Sequence, residues 1–331
     1  MASPSFAVLL DDEQLVDDVR SLSAISNVRG AGLIVREWLV IGATIAIALY
    51  FDRWWIYLPA IIVIAARQHA LGVIMHDATH FRLFTSRWAN EYVSNFFCAF
   101  PVGMSTQGYR GEHLAHHLNT NTESDPYYRM FLGDKFWHWP KTRRAAYLQM
   151  LADVSGLNSL HYLAMFRRWM PLYQWRLNRN NPQLARRCTI DLITCSLYWA
   201  AIAALLTING WWGAFLLLWV LPAVTFYTLF SRLRWISEHP YSSDVEPNRM
   251  TRHVTGKFWE RWSIGPLNIN YHIAHHLFPA VPLYQLPRVH ARLMEHDDYR
   301  REAFRYETYL GPAHSVRAEV VLPPRAAVGG K

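Results

Sequence analysis

The apolar positions of this chain gather into long unbroken runs, not into the stripes or alternations that build a water-soluble core. Cys188–Ile208 and Trp211–Phe230 are each about as long as a helix needs to cross a bilayer, and Asp191 is the only formal charge in either. A second pair lies nearer the N-terminus: Trp38–Phe51 and Trp54–Ala66, separated by Asp52-Arg53. Each of these is short for a crossing. Extending the first back to residue 33 takes in Arg36 and Glu37, and extending the second forward to Met75 takes in Arg67, Gln68 and His69. Two tilted spans with polar inner ends are the first reading, and a half-inserted hairpin is the second. The expected spans are residues 33–51, 54–75, 188–208 and 211–231.

Between the spans lie blocks too rich in Trp, Tyr, Phe and Met to be linkers. Ala89–Phe100 and Leu157–Met170 mix apolar and polar residues at helical spacing, which predicts helices lying on the membrane face. Residues 1–31 read as a leader and residues 32–310 as one membrane domain, with polar blocks at 76–187 and 232–310. Residues 311–331, rich in Pro, Gly and Ala, read as a flexible tail. The expected fold is all-α: an integral membrane protein of about four transmembrane helices, with a helical cap.

Charge orients the spans. The proposed outer turns, Asp52-Arg53 and Asn209-Gly210, hold one basic residue, whereas residues 76–187 and 232–331 carry 14 Lys and Arg each. The positive-inside rule then places both blocks and both termini in the cytoplasm, as in a bacterial inner membrane. The net charge of +8 becomes a topology signal with some attraction to anionic lipid headgroups. The dispersed arginines and the lack of a nucleic-acid motif argue against a nucleic-acid partner. The acidic start, Asp11-Asp12-Glu13 and Asp17-Asp18, does not resemble a cleavable signal peptide. Cys98, Cys188 and Cys195 fit neither a zinc site nor a disulfide framework and are expected to be reduced thiols.

Histidine changes the picture most. Of 16 histidines, eight fall in three boxes: His76-Asp-Ala-Thr-His80, His113-Leu-Ala-His116-His117 and His272-Ile-Ala-His275-His276. Residues three and four apart share a helix face, so each box presents imidazoles in one direction. Imidazole is a common metal ligand, and eight exceed the needs of one ion. The topology brings all three boxes to one side of the membrane, which points to a dimetal site. His239, just after the fourth span, lies at the same depth and is a ninth candidate ligand. His69 is expected in a polar core or supporting role. His138, His161, His253, His290, His296 and His314 have no partner at ligand spacing. Asp77, Glu112, Asp125 and Glu238 stand beside the candidates as acids that could orient an imidazole. Ligand type alone does not select the metal. A zinc hydrolase needs fewer ligands, and two redox-active irons activating O₂ account better for the excess.

The three boxes and their flanks carry a family resemblance. Tyr109-Arg110-Gly-Glu-His113, Asp125-Pro126, Asn270-Tyr-His272 through Phe278-Pro-Ala-Val-Pro282 and Leu286-Pro-Arg-Val-His290 resemble the membrane fatty acid desaturase superfamily over residues 35–295. That resemblance implies integral-membrane di-iron enzymes using O₂ and two electrons. It implies that His76, His80, His113, His116, His117, His272, His275 and His276 bind iron, and that His239 joins them. It also offers Asn268 or Asn270 as a holder of metal-bound water. The chain has no His-Pro-Gly-Gly haem motif, so a separate donor of ferredoxin type is expected to supply electrons. The activity implied first is insertion of a double bond into a fatty-acyl or lipid-like chain. The alternative is a hydroxylase or ketolase of a lipid, carotenoid or small amino-acid-derived substrate. A membrane metal-binding or transport protein is a distant third, because the spans lack a ligand cluster at mid-membrane.

Overall fold

The computed structural model describes residues 9–239 and 251–322. Helix α1 (Glu13–Leu22) begins at Asp12, whose carboxylate accepts from the Leu15 N–H. It packs through Leu15 and Val19 on the core that follows the third histidine box. Four long apolar helices make the chain an integral membrane protein: α2 (Asn27–Phe51), α3 (Trp54–Thr79), α10 (Pro182–Asn209) and α11 (Trp212–Glu238). Each runs past the limits expected from hydropathy, because their polar ends continue the helix. Asp52 closes α2 in the left-handed conformation, and Gly210 makes the tight return between α10 and α11. Both termini of the described chain pack on the fold. Residues 311–322 of the expected tail include the short helix α16 (Val316–Val320), with Val316 and Val320 buried. The rest of the tail lies outside the described residues.

One span is unlike the others. In the most apolar window of α3, 72% of residues are buried, against 11% for α10, so α3 is the central post and α10 faces outward. The polar residues within the spans are paired accordingly. Arg67 on α3 donates to Glu37 on α2 at 2.7 Å with both side chains buried, and Arg36 closes the same carboxylate at 2.5 Å. A lone charge here would be costly, so the two spans must meet in this register.

Short helices fill the segment between the second and third spans: α4 (Arg87–Ser94), α5 (Thr106–Asn119), α6 (Pro126–Leu132), α7 (Arg143–Val154), α8 (Ser159–Phe166) and α9 (Pro171–Asn178). Those predicted near 89–100 and 157–170 are present as α4 with its π-helical extension (Asn95–Ala99) and as α8. A second π turn, Leu216–Val220, lies just before Pro222 in α11. Proline cannot donate to the preceding turn, and the wider turn absorbs the misfit. The helix then bends at Thr225 and continues as Phe226–Glu238, aiming its last turn at the histidines. Arg232 in that stretch donates to Asp153 of α7 at 2.5 Å, fully buried, and so locks the cap to the span.

Beyond α11 come α12 (Phe258–Ser263), α13 (His272–Leu277), α14 (Leu286–Leu293) and α15 (Asp297–Glu302) ahead of α16. Two parallel ladders of two residues each, His253–Val254 with Arg305–Tyr306 and Lys141–Thr142 with Val321–Leu322, pin this segment down. They leave the fold mostly helical, as expected.

Candidate metal centre

Each box is presented by a helix end. His76 lies in the last turn of α3 and His80 caps it. Helix α5 carries His113, His116 and His117, and starts where the Ser105 hydroxyl accepts the Gly108 N–H. The third box is itself the six-residue helix α13. His239 leaves α11 in extended conformation. All nine histidines converge.

They converge as two groups. The first holds His76, His80, His113, His117 and His275, and the second holds His116, His239 and His276; within each, the candidate ligand atoms lie within 4.8 Å of one another. His272 extends the second, its Nε2 at 2.8 Å from Nε2 of His239. Both HxxHH boxes are thus split between groups. His116 and His117 diverge, as do His275 and His276, because adjacent helical residues point about 100° apart. Box one serves the first group alone, and His239 supplies what the second would otherwise lack.

The donor set fits metal ions. Nitrogen faces nitrogen: His80 Nε2 meets His113 Nε2 at 2.9 Å, His113 meets His117 at 3.0 Å, His117 meets His275 at 3.1 Å, and His116 meets His239 at 3.1 Å. Such contacts cannot all be hydrogen bonds, since a neutral ring carries one N–H only. Both ring nitrogens of His76, and Nε2 of His276, are buried without any hydrogen-bond partner. Burial, followed by the repulsion of neighbouring imidazoles, holds His113, His117, His275 and His276 well below the ordinary histidine range. The rings are therefore neutral, as metal ligation requires.

Of the expected supporting acids, one bonds an imidazole and a second stands near one. Asp125 Oδ2 lies 2.8 Å from Nδ1 of His116, with both side chains buried. The same carboxylate accepts from the Asn121 and Tyr127 N–H groups, which fix its orientation at the start of α6. Glu238 accepts from Arg234 at 2.6 Å and stands 3.6 Å from Nδ1 of His272. The other acids are used elsewhere. Asp77 accepts from the Leu283 N–H, tying α3 to the loop after box three. Glu112 takes Arg168 at 2.6 Å and the Trp169 indole at 2.9 Å, fastening α5 to that turn. Of the two asparagines, Asn268 donates to the Leu283 carbonyl and Asn270 to that of Val254, while Asn270 Oδ1 is buried without a partner. His69 bonds the Ser263 carbonyl through Nδ1, in keeping with a supporting role.

Three contacts went unread in the sequence. Tyr109 OH lies 3.2 Å from Nδ1 of His113, Thr120 Oγ1 lies 3.3 Å from Nδ1 of His276, and Arg234 holds Glu238. Tyr109 and Arg234 each precede their partner by four residues, so helical spacing was an available signal.

A family model for fatty acid desaturases matches residues 52–308, which hold both histidine groups and their supports. The chain belongs to the fatty acid desaturase family. It is 26% identical over 281 residues to the dihydrorhizobitoxine desaturase of Bradyrhizobium elkanii, covering 84% of this chain and 78% of that one. It is 24% identical over 270 residues to an sn-1 oleoyl-lipid 12-desaturase of Anabaena variabilis, covering 77% and 74%. An sn-1 acyl-lipid omega-3 desaturase (ferredoxin) of Nostoc is 22% identical over 279 residues, covering 76% and 71%. This desaturase-family enzyme thus carries histidine clusters consistent with the metal site typical of its family.

Proposed function

We infer that the chain is an O₂-dependent di-iron desaturase that removes two vicinal hydrogens from a saturated carbon–carbon bond. The overall change balances as R–CH₂–CH₂–R′ + O₂ + 2e⁻ + 2H⁺ → R–CH=CH–R′ + 2H₂O. His76, His80, His113, His117 and His275 would hold one iron, and His116, His239, His276 and His272 the other. Two reduced irons supply the activation of O₂ and the oxidising power to break an unactivated C–H bond. The observation that carries this reading is the pair of largely buried imidazole groups facing each other nitrogen to nitrogen within a desaturase-family chain.

The chain's own residues do the holding and shielding. Asp125 sets the His116 tautomer by accepting from Nδ1, which leaves Nε2 free to ligate. Glu238 stands ready to do the same for His272. A cavity of about 60 Å³ borders His113 and His116 on α5 as well as His239 and His272, so a substrate there touches both groups. Trp169, Phe131 and Met165 line it and limit water beside the reacting carbons.

The charge pattern supports a cytoplasmic site reached by a separate electron donor, and one relative is named for ferredoxin. Other relatives' names specify both an oleoyl lipid and dihydrorhizobitoxine, so the family name leaves the substrate open. The test is expression with a reducing partner, iron analysis, and mass spectrometry of substrates. About two irons per chain and products lighter by two hydrogens are expected, both lost in His116→Ala. Products heavier by one oxygen would make it a hydroxylase. Zinc in place of iron, with no O₂ consumed, would overturn the enzyme reading.

A further inference from the structure

The cavity beside the two histidine groups is not lined as a channel for a plain hydrocarbon chain would be. Tyr227, Ser231, Arg234 and Glu238 all face it from α11. Their spacing of four, three and four residues makes them one stripe on a single helix face. The stripe ends at His239. The histidines form one end of the cavity, and Met104, Met130, Phe131 and Met165 from other elements give it an apolar side.

Arg234 is the group in that stripe whose hydrogen bonding is incomplete. Its side chain is nine-tenths buried, and Nε donates to Glu238. A guanidinium carries five N–H donors in a planar fork. Among the described residues no protein acceptor meets Nη1 or Nη2, and the residue lines the cavity. Arg232, two residues earlier, is held differently: its Nε and Nη2 both grip Asp153, and its Nη1 is sealed in without a partner. If methylene groups filled the space beside Arg234, its donors would lose water and gain nothing. A charged group near the end of a span, facing inward, is more often there for a ligand than for the fold.

Resting on the desaturase reading above, we propose that the substrate carries a free carboxylate, held by Arg234, and that the bond oxidised lies only a few bonds from it. A carboxylate matches the planar fork of a guanidinium in a two-point contact. Arg234 lies one helical turn before Glu238, about 6 Å of rise, and lines the same cavity as His239, which keeps the anionic head close to the reacting carbons. The apolar wall then takes a short aliphatic tail, and a cavity of about 60 Å³ suits such a tail, not a long acyl chain. Arg234 is thereby a specificity-determining residue, and Glu238 fixes the angle at which its fork is offered.

The probes are hexanoate and methyl hexanoate, which differ in the charged head and share the tail. Each is titrated calorimetrically into the full iron-loaded chain in detergent. Hexanoate is expected to bind at least tenfold more tightly than its ester. Arg234→Gln should abolish that preference, and Arg234→Lys, which keeps a cation beside Glu238, should keep part of it. Equal affinity of wild type for acid and ester overturns the proposal, and that comparison needs no variant to fold. Desaturation of the host's esterified lipids by wild type, undiminished in Arg234→Gln, also overturns it while leaving the desaturase reading intact. Failure to bind iron or consume O₂ would instead count against the desaturase reading itself.

Discussion

Asp125 shows how much one side chain decides at the metal centre. It serves three donors at once: Nδ1 of His116 and the N–H groups of Asn121 and Tyr127. Such outer partners fix ring orientation and raise ligand basicity, and their loss commonly weakens metal binding about 10–100-fold. Asp125→Asn is therefore expected to keep the fold and lose iron to a chelator at concentrations that leave wild type loaded. Iron per chain after dialysis against graded chelator measures it, and unchanged retention would remove Asp125 from the site. Asp125 was legible as a candidate because it follows box two at short range. Asn268 and Asn270 precede the helix of box three, in a tight turn the sequence did not announce. Leu267 and Asn268 take left-handed conformations that turn the asparagines toward backbone partners.

At the scale of elements, the placement of α5 matters most, since this helix feeds both histidine groups. Its first turn lies against the turn at Arg167–Trp169, where the Ser105 N–H donates to the Trp169 carbonyl at 2.9 Å. Gly108 makes that approach possible. A Cβ there would meet the Trp169 carbonyl oxygen at 2.7 Å and Ser105 Oγ at 2.9 Å, so backbone would have to move. Gly108→Ala should shift α5 and cost at least tenfold in turnover, while the protein remains membrane-inserted. Assay of the purified variant beside its iron content checks this, and wild-type turnover would show that the contact tolerates slack. The spans themselves were readable because bilayer insertion is a local property of roughly 20 residues. Their polar inner ends were harder to read. Arg36, Glu37 and Arg67 look like breaks in a span until the tertiary contact pairs the buried Glu37 with the buried Arg67 and leaves Arg36 at the surface beside them.

For the whole molecule, one buried contact inside the region beyond the fourth span makes the fold sensitive to acid. His253 lies in the ladder with Arg305–Tyr306 and stacks on His290 at 4.4 Å. Burial first, then the charge of His290, lowers its pKa from 6.5 to about 3. Below pH 6.5 the unfolded chain takes up a proton there that the folded chain refuses. The stability is therefore complete above that pH and is lost as pH falls toward 3. The slope is up to about 1.4 kcal/mol per pH unit. Melting of the protein in detergent from pH 7.5 to 4.5 should show this loss, with a shallower slope in His253→Gln. Equal slopes would mean that His253 does not carry it.

The sequence by itself determined the membrane class, the four spans, the three boxes and the ninth histidine. These follow from hydropathy over one helix length and from spacing within one helix turn, both local quantities. Only the tertiary structure decided how the histidines divide. That His275 joins box one, while His276 joins His116 and His239, depends on the angles at which separate helices meet. The same packing gave Asp125 its imidazole, set Glu238 near another, engaged Asp77 and Glu112 elsewhere, and placed Arg234 in the wall of the cavity beside the histidines. Contacts between residues distant along the chain exist only once the helices pack, and that is where the chemistry of this chain is set.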